Sequence, residues 1–269
     1  MHDTATTRCF CYTELMSWAA RRRFIILLIL GAVAAAFLAV VLIAALYKAP
    51  SCSDGVQNGS EQGIDCGGSC PYLCTALEQA PTVLYTTPLP GISGRTDIIA
   101  SVVNNNPAAA AKAVPYYISL YGADHAFVQR VSGTVDLPPH ATVPIFVPNI
   151  ATGNQTVTSA FLTIASSAPA WYALSSDPRI VPSVSNVTLG GTTAAPQITA
   201  LLTNPSVMTL SDVLVYVIVH DAQGNVIAAS QTIVPSIFGQ EQATATFSWN
   251  APFSSTPASL EVVPVIPLP

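Results

Sequence analysis

Hydrophobic and polar positions along this chain fall into three regimes. From Phe24 to Leu46 the apolar residues are continuous: 23 positions contain no charge, Asn, Gln or Pro, and Gly31 is the one glycine. At about 1.5 Å per residue this run predicts a helix of roughly 34 Å, enough to cross a hydrocarbon core of about 30 Å. From Ser51 to Cys74 the pattern becomes polar and glycine-rich, with too few apolar residues to build a core. From about Pro81 onward it consists of short Val/Ile/Thr/Tyr-rich runs cut by Pro, Asn and Gly. That last pattern predicts antiparallel β-sandwiches.

The β-rich region repeats itself. Tyr117–Val128 (YISLYGADHAFV) aligns with Tyr216–Ile227 (YVIVHDAQGNVI) at an offset of 99 residues. Each copy follows an apolar run closed by Asn-Pro, Ile98 to Pro107 and Ile198 to Pro205, and precedes a proline-containing bend. The alternation of Tyr216, Ile218 and His220 with Val217 and Val219 predicts a strand with one face more apolar than the other. Ala222-Gln-Gly-Asn225 is expected to turn the chain, with Gly224 and Asn225 suited to positive φ. In the first copy Ala123-Asp-His-Ala126 does the same job without a glycine.

These patterns divide the chain into an N-terminal stub (1–23), a membrane anchor (24–47), a Cys-rich collar (50–76) and two β-sandwich modules (81–166 and 179–269). A connector (167–178) joins the modules, and its Trp171 and Tyr172 are expected to pack at their interface or to cover an open sheet end. The fold class expected is an all-β ectodomain on one N-terminal transmembrane helix.

Arg21-Arg22-Arg23 abuts the apolar run and only Lys48 stands close on its far side. The positive-inside rule then puts the N-terminus in the cytoplasm and the C-terminal modules outside the cell membrane. The run exceeds the roughly 7–15 residues of a cleavable signal, which favours an uncleaved anchor. It is also very apolar for a twin-arginine signal, and Ala49-Pro-Ser before Cys52 does not suit a lipoprotein signal. Gly31, Ala35 and Ala39 lie four apart on one helix face, where small residues can let a second helix approach. Self-association or association with other envelope proteins through this face is therefore a candidate, set against the plain abundance of Ala in such spans.

Charge excludes one class of partner. From Ala49 onward the cations are Arg95, Lys112, Arg130 and Arg179, against twelve carboxylates, for a formal charge of −8. Such a surface has no footprint for a phosphate backbone, so nucleic acid is not expected to bind.

The four cysteines Cys52, Cys66, Cys70 and Cys74 are expected to form two disulfides in an oxidising compartment, with three pairings open. A zinc site made of all four thiolates is the rival, but the paired Cys-x-x-Cys knuckles are missing. Cys9 and Cys11 lie on the reducing side and read as incidental thiols. The collar also carries Asp54, Asn58, Glu61 and Asp65, interleaved with Gly55, Gly59 and Gly63. Hard oxygens on a glycine-rich loop are candidate calcium ligands. The competing reading is a turn network in which these side chains cap their own backbone.

The stretch from Cys52 to Cys74 resembles the Cys-x-Asp-Gly-x-x-Asn-Gly-x-Glu-x-Gly-x-Asp-Cys-Gly-Gly-x-Cys motif of single-pass bacterial envelope proteins. The repeat resembles the FxLYD family of small immunoglobulin-like sandwiches. Ile118-Ser-Leu120-Tyr121-Gly122 keeps the Leu-Tyr pair, and Val217-Ile-Val219-His220-Asp221 keeps the Asp. The resemblance implies a location and an architecture rather than an activity.

Catalytic patterns are missing from the sequence. His2, His125, His140 and His220 are scattered outside any helical metal motif, and no nucleophile elbow, phosphate loop or dinucleotide fingerprint occurs. Asp97, Asp136 and Asp212 read as loop carboxylates, and Asn58, Asn154 and Asn186 head glycosylation sequons. The expected role is non-catalytic: a membrane-anchored envelope protein that presents two β-sandwiches for structural or interaction purposes. The alternatives are an accessory subunit of a secretion or pilus-type complex and, further off, an extracytoplasmic enzyme.

Overall fold

The computed structural model describes residues 17–269, apart from 48, 92–93, 154, 166–169 and 175. Cys9, Cys11, Lys48, the sequon residue Asn154 and most of the N-terminal stub lie outside the described residues. Two compact units divide the chain, Met1–Ser51 and Cys52–Pro269.

In the first unit a 29-residue helix, α1, runs from Trp18 to Leu46. It starts earlier than the apolar run because Ser17 caps it, its Oγ accepting the Ala20 N–H at 3.3 Å. Arg21, Arg22 and Arg23 thus ride on the helix rather than precede it. None of its residues is buried, and an 18-residue window with mean hydropathy 3.1 makes it apolar enough to cross a membrane.

The second unit contains two sandwiches of one design. In the first, β1 (Thr82–Pro90), β2 (Arg95–Val103) and β5 (Thr142–Ala151) form one antiparallel sheet in the order β1-β2-β5. The facing sheet has β4 (Phe127–Leu137), β3 (Ala109–Tyr121) and β6 (Ser159–Ile164) in the order β4-β3-β6, with the two-residue β7 (Tyr172–Ala173) on the start of β3. In the second, β8 (Ser183–Thr192), β9 (Ala195–Thr203) and β12 (Gln242–Ser248) face β10 (Leu210–His220), β11 (Val226–Ile237) and β13 (Ser259–Val265). Their orders, β12-β9-β8 and β11-β10-β13, repeat the first sandwich strand for strand.

Period-2 alternation decides what each core contains. Val213, Val215, Val217 and Val219 point inward from β10 onto Ile198 and Leu202 of β9. Ile98 and Val102 meet Val114, Ile118 and Leu120 in the first sandwich. The opposite face of β10, with Tyr216 and Ile218, is not solvated as alternation alone suggests. It packs on Leu89, Ile99 and Phe146 of the first sandwich, and the Phe146 and Tyr216 rings meet edge to face at 6.5 Å. The sheets of the two modules therefore stack face to face. This explains why Ile98 to Val102 is buried at every position, whereas β9 is buried only at alternate ones.

The hairpins differ in how they turn. In the second copy Gly224 has φ +81° but Asn225 does not take positive φ. Asn225 instead donates its backbone N–H to Asp221 Oδ1 at 2.8 Å and its side-chain amide to Oδ2 at 3.0 Å, an Asp cap that holds the turn. In the first copy Asp124 and His125 both adopt left-handed φ, 55° and 57°, at a cost of about 1 kcal/mol or more each.

Candidate functional site

Three local structures carry the polar chemistry of the second unit: the collar, the asparagine corners and one bare sheet face.

The collar is closed by disulfides Cys52–Cys70 and Cys66–Cys74. Cys52 and Cys70 lie with the Glu61 carboxylate within 4.8 Å, but sulfurs bonded to each other offer no thiolate, which removes the zinc reading. Gly68, at φ +63°, lets the chain pass the Ser60 carbonyl so closely that any side chain would collide with it.

Asp54, Asn58, Glu61 and Asp65 join one hydrogen-bond network, though the three carboxylates do not converge within 4.8 Å of one another. Asp65 accepts the Asp54 N–H at 2.9 Å through Oδ1 and the Gly55 N–H at 2.9 Å through Oδ2. Glu61 Oε2 accepts the N–H groups of Asn58 and Asp65 at 3.2 and 3.3 Å. Asn58 donates its amide to Asp54 Oδ2 at 2.9 Å. Its Oδ1 is buried with no hydrogen-bond partner among the described residues. Much of the cluster thus caps backbone, while one inward oxygen is left over.

The connector ties the collar to the first sandwich. Trp171, 2% exposed, closes the end of the first core, and its carbonyl accepts the Leu73 N–H at 2.9 Å. Ala173 donates to the Pro71 carbonyl at 2.7 Å, and Tyr72 pairs with Tyr172 in a β-bridge. Of the two positions expected for Trp171, it takes the open sheet end.

At the end of β2, Asn104 is fully buried and donates Nδ2 to the carbonyls of Ala109 at 2.8 Å and Pro138 at 2.7 Å. Asn204 repeats this at the end of β9, with Met208 at 2.7 Å and Ile237 at 3.0 Å. Both groups serve backbone that no ladder reaches.

Among the described residues no other element packs on the outer face of the β4-β3-β6 sheet, where Ser119 is covered only by its own neighbours. Its cross-strand rows bring Arg130 beside Ser119 and Phe161, and Tyr121 beside Phe127. Tyr121 meets Phe127 and Phe161 edge to face, each at 5.8 Å. The Arg130 guanidinium lies 4.5 Å over the Tyr117 ring, with Nε donating to Ser119 Oγ at 3.3 Å. Apart from Phe127, these residues line a shallow depression of 440 Å³ together with His125 and Thr163. The sequence offered no sign of this group, because its members come together only through strand register.

The three carboxylates read as loop residues, Asp97, Asp136 and Asp212, lie instead on β2, β4 and β10, and two of them hold backbone N–H groups. Asp97 Oδ1 accepts the Asn149 N–H, and Asp136 accepts from Ala113 and Leu268, both at 2.8 Å. Arg179 holds Asp177 below its ordinary range through their hydrogen bonds, in a contact of 2.7 Å. Burial, helped by Glu261 across the module interface, pushes Tyr85 up to about 12. Burial likewise raises Tyr216.

No protein-family model matches the sequence, and no curated protein matches it. Among solved structures, the chain is similar to red sea bream transglutaminase with 14% identity and a TM-score of 0.22. The match covers 64% of this chain and 27% of that one, and at that score it carries no argument about fold or activity.

Proposed function

We propose that this protein is a non-catalytic, single-pass envelope protein that holds two stacked β-sandwiches outside the membrane for structural or interaction purposes. The observation that carries the reading is the pairing of one bare 29-residue apolar helix with a β-rich unit that begins in a disulfide-closed collar. Disulfides persist in oxidising compartments, and the arginines at the helix start favour an N-terminus on the cytoplasmic side. The repeated six-strand order supports a sandwich of the immunoglobulin and FxLYD type, and the collar motif supports membership of the single-pass envelope proteins. The backbone role of Asp97 and Asp136 supports a role without catalysis.

The collar and connector then act as one rigid foot, since Leu73, Pro71 and Tyr72 all bond to the Trp171–Ala173 segment. The same proposal includes calcium: the partnerless Asn58 Oδ1, on a residue bonded to both Asp54 and Glu61, suits a hard cation on which those side chains close.

Protease treatment of intact cells tests the topology. Digestion of everything beyond Tyr47, with the N-terminus protected, is the expected result. Protection of the β-rich unit in intact cells overturns the orientation, and recovery of that unit without α1 from cells given no protease overturns the uncleaved anchor.

A further inference from the structure

The two sandwiches use the same sheet differently. In the second, the outer face of β11-β10-β13 is filled by the first sandwich, with Tyr216 against Phe146. In the first, the equivalent face is open: Phe127 and Phe161 are 55% and 59% exposed, an unusual placement for large rings on a sheet that could have presented Thr and Ser. The other open face, the outer side of β8-β9-β12, does present them, through Thr188, Gln197, Thr199, Thr244 and Thr246. Leu201 is the one partly exposed apolar residue on that face among the described residues, too small a complement for the rings, so head-to-tail stacking of a second copy is not what they are built for. Pairing of two such faces across a twofold axis sets one cationic, aromatic face against another, which like charge opposes.

We propose that the open β4-β3-β6 face binds an acidic saccharide, a chain bearing hexuronate carboxylates. Exposed aromatic rings carry negative charge on their faces and attract the weakly positive C–H bonds of a sugar ring. Thr163 and the Tyr117 and Tyr121 phenols supply hydrogen-bonding groups suited to sugar hydroxyls, while the buried Ser119 serves Arg130. Arg130 selects the charge. Its plane is held by Tyr117 and its Nε by Ser119, while its two terminal nitrogens make no hydrogen bond among the described residues. A guanidinium so fixed presents a fork that matches a carboxylate. No carboxylate lines the depression, although the chain from Ala49 onward carries twelve, so the face is a cationic spot on an acidic body. Tyr117 and Tyr121 lie four residues apart on β3, a spacing of roughly 13 Å that suits an extended chain of sugars more than a single ring.

This rests on the reading that the modules are presented for binding, and its test is separate from the topology test. Full-length protein in detergent is titrated calorimetrically with oligomers of galacturonate, glucuronate and mannuronate, with neutral oligogalactose, and with oligoglutamate. Binding of at least one oligouronate is expected. Arg130→Gln is expected to weaken it about tenfold or more and to leave any neutral-sugar binding unchanged. Phe161→Ala weakens both. An unchanged melting temperature of each variant checks that the fold is intact. Three results overturn the proposal: no oligouronate bound, equal binding by Arg130→Gln, or oligoglutamate bound as well as the sugars, which reassigns the face to an acidic protein partner.

Discussion

Asn104 and Asn204 occupy the same corner of the two sandwiches, each with its side-chain amide driven into carbonyls that the β-ladders leave unpaired. Their carbonyl oxygens are matched too, accepting the N–H of Asn106 at 2.9 Å and of Ser206 at 3.0 Å. Even the backbone follows, with Asn104 donating to Ala141 and Asn204 to Glu241. Asn104→Ala strands several buried carbonyls at once, so it is expected to cost on the order of 3 kcal/mol. Asn204→Ala is expected to cost the same. The midpoint of denaturant unfolding measures both, and a loss below about 1 kcal/mol removes the corner as a structural device.

The stacked sheets predict cooperative unfolding. Phe146 is buried between Leu89 and Ile99 of its own sandwich and Ile218 and Ala229 of the second. Phe146→Ala is expected to cost about 3 kcal/mol and to split a single thermal transition into two, because the modules lose their shared layer while each keeps its own core. One sharp transition in the variant means that the interface is held elsewhere, for instance by Leu268, whose N–H reaches Asp136 across the modules at 2.8 Å.

Much of this architecture was legible in the residue pattern, and the parts that were not share a cause. The apolar run, the β-rich runs and the repeat are local signals carried by neighbouring residues. The covered face of β10 was not legible, because Tyr216, Ile218 and His220 look like a solvated alternation until another module is placed on them. Ile98 to Val102 did hold a hint, since a run without alternation implies burial on both sides. The Asn104 corner was visible only as Asn-Pro punctuation, which marked a strand end but not the carbonyls beyond it. Phe127, Arg130 and Phe161 needed strand register to be seen as one surface, and register is a nonlocal property.

Cys52–Cys70 and Cys66–Cys74 close intervals of 18 and 8 residues in a segment with little core of its own. Peptide mapping without reduction is expected to recover these two pairs, with all four thiols blocked to alkylation. Cys66→Ser with Cys74→Ser is expected to cost about 2–4 kcal/mol in the collar and to loosen the Trp171 strap that leans on it. Recovery of another pairing contradicts the collar described here.

Tyr85 makes the interface sensitive to alkali. Its hydroxyl titrates near 10.0 when solvated and is pushed to about 12 by burial and by Glu261. With the folded value above the unfolded one, the stability it contributes is fully present below about 10. It is lost as pH rises toward about 12, because the unfolded chain ionises first. Tyrosinate absorbance is expected to show a late-titrating component that Tyr85→Phe diminishes by one group. An unchanged titration in that variant places the late component on another buried ring, such as Tyr216.

The collar's oxygen cluster makes the sharpest case for a cation. Asn58 turns its amide nitrogen toward Asp54 and leaves a buried oxygen unpaired, a state that costs about 1–3 kcal/mol. Rotation of that amide sets its oxygen beside the Asp54 carboxylate, which repels it unless a cation lies between them. Calcium, which takes six to eight oxygens, relieves both costs. Chelation is therefore expected to lower the melting temperature of the full-length protein, added calcium to restore it, and Asn58→Ala to remove the dependence. Asp65→Ala is a weaker probe, since it also deletes the caps on Asp54 and Gly55 and destabilises the collar with or without the ion. A melting temperature indifferent to both chelator and calcium leaves the four side chains with backbone capping as their whole role.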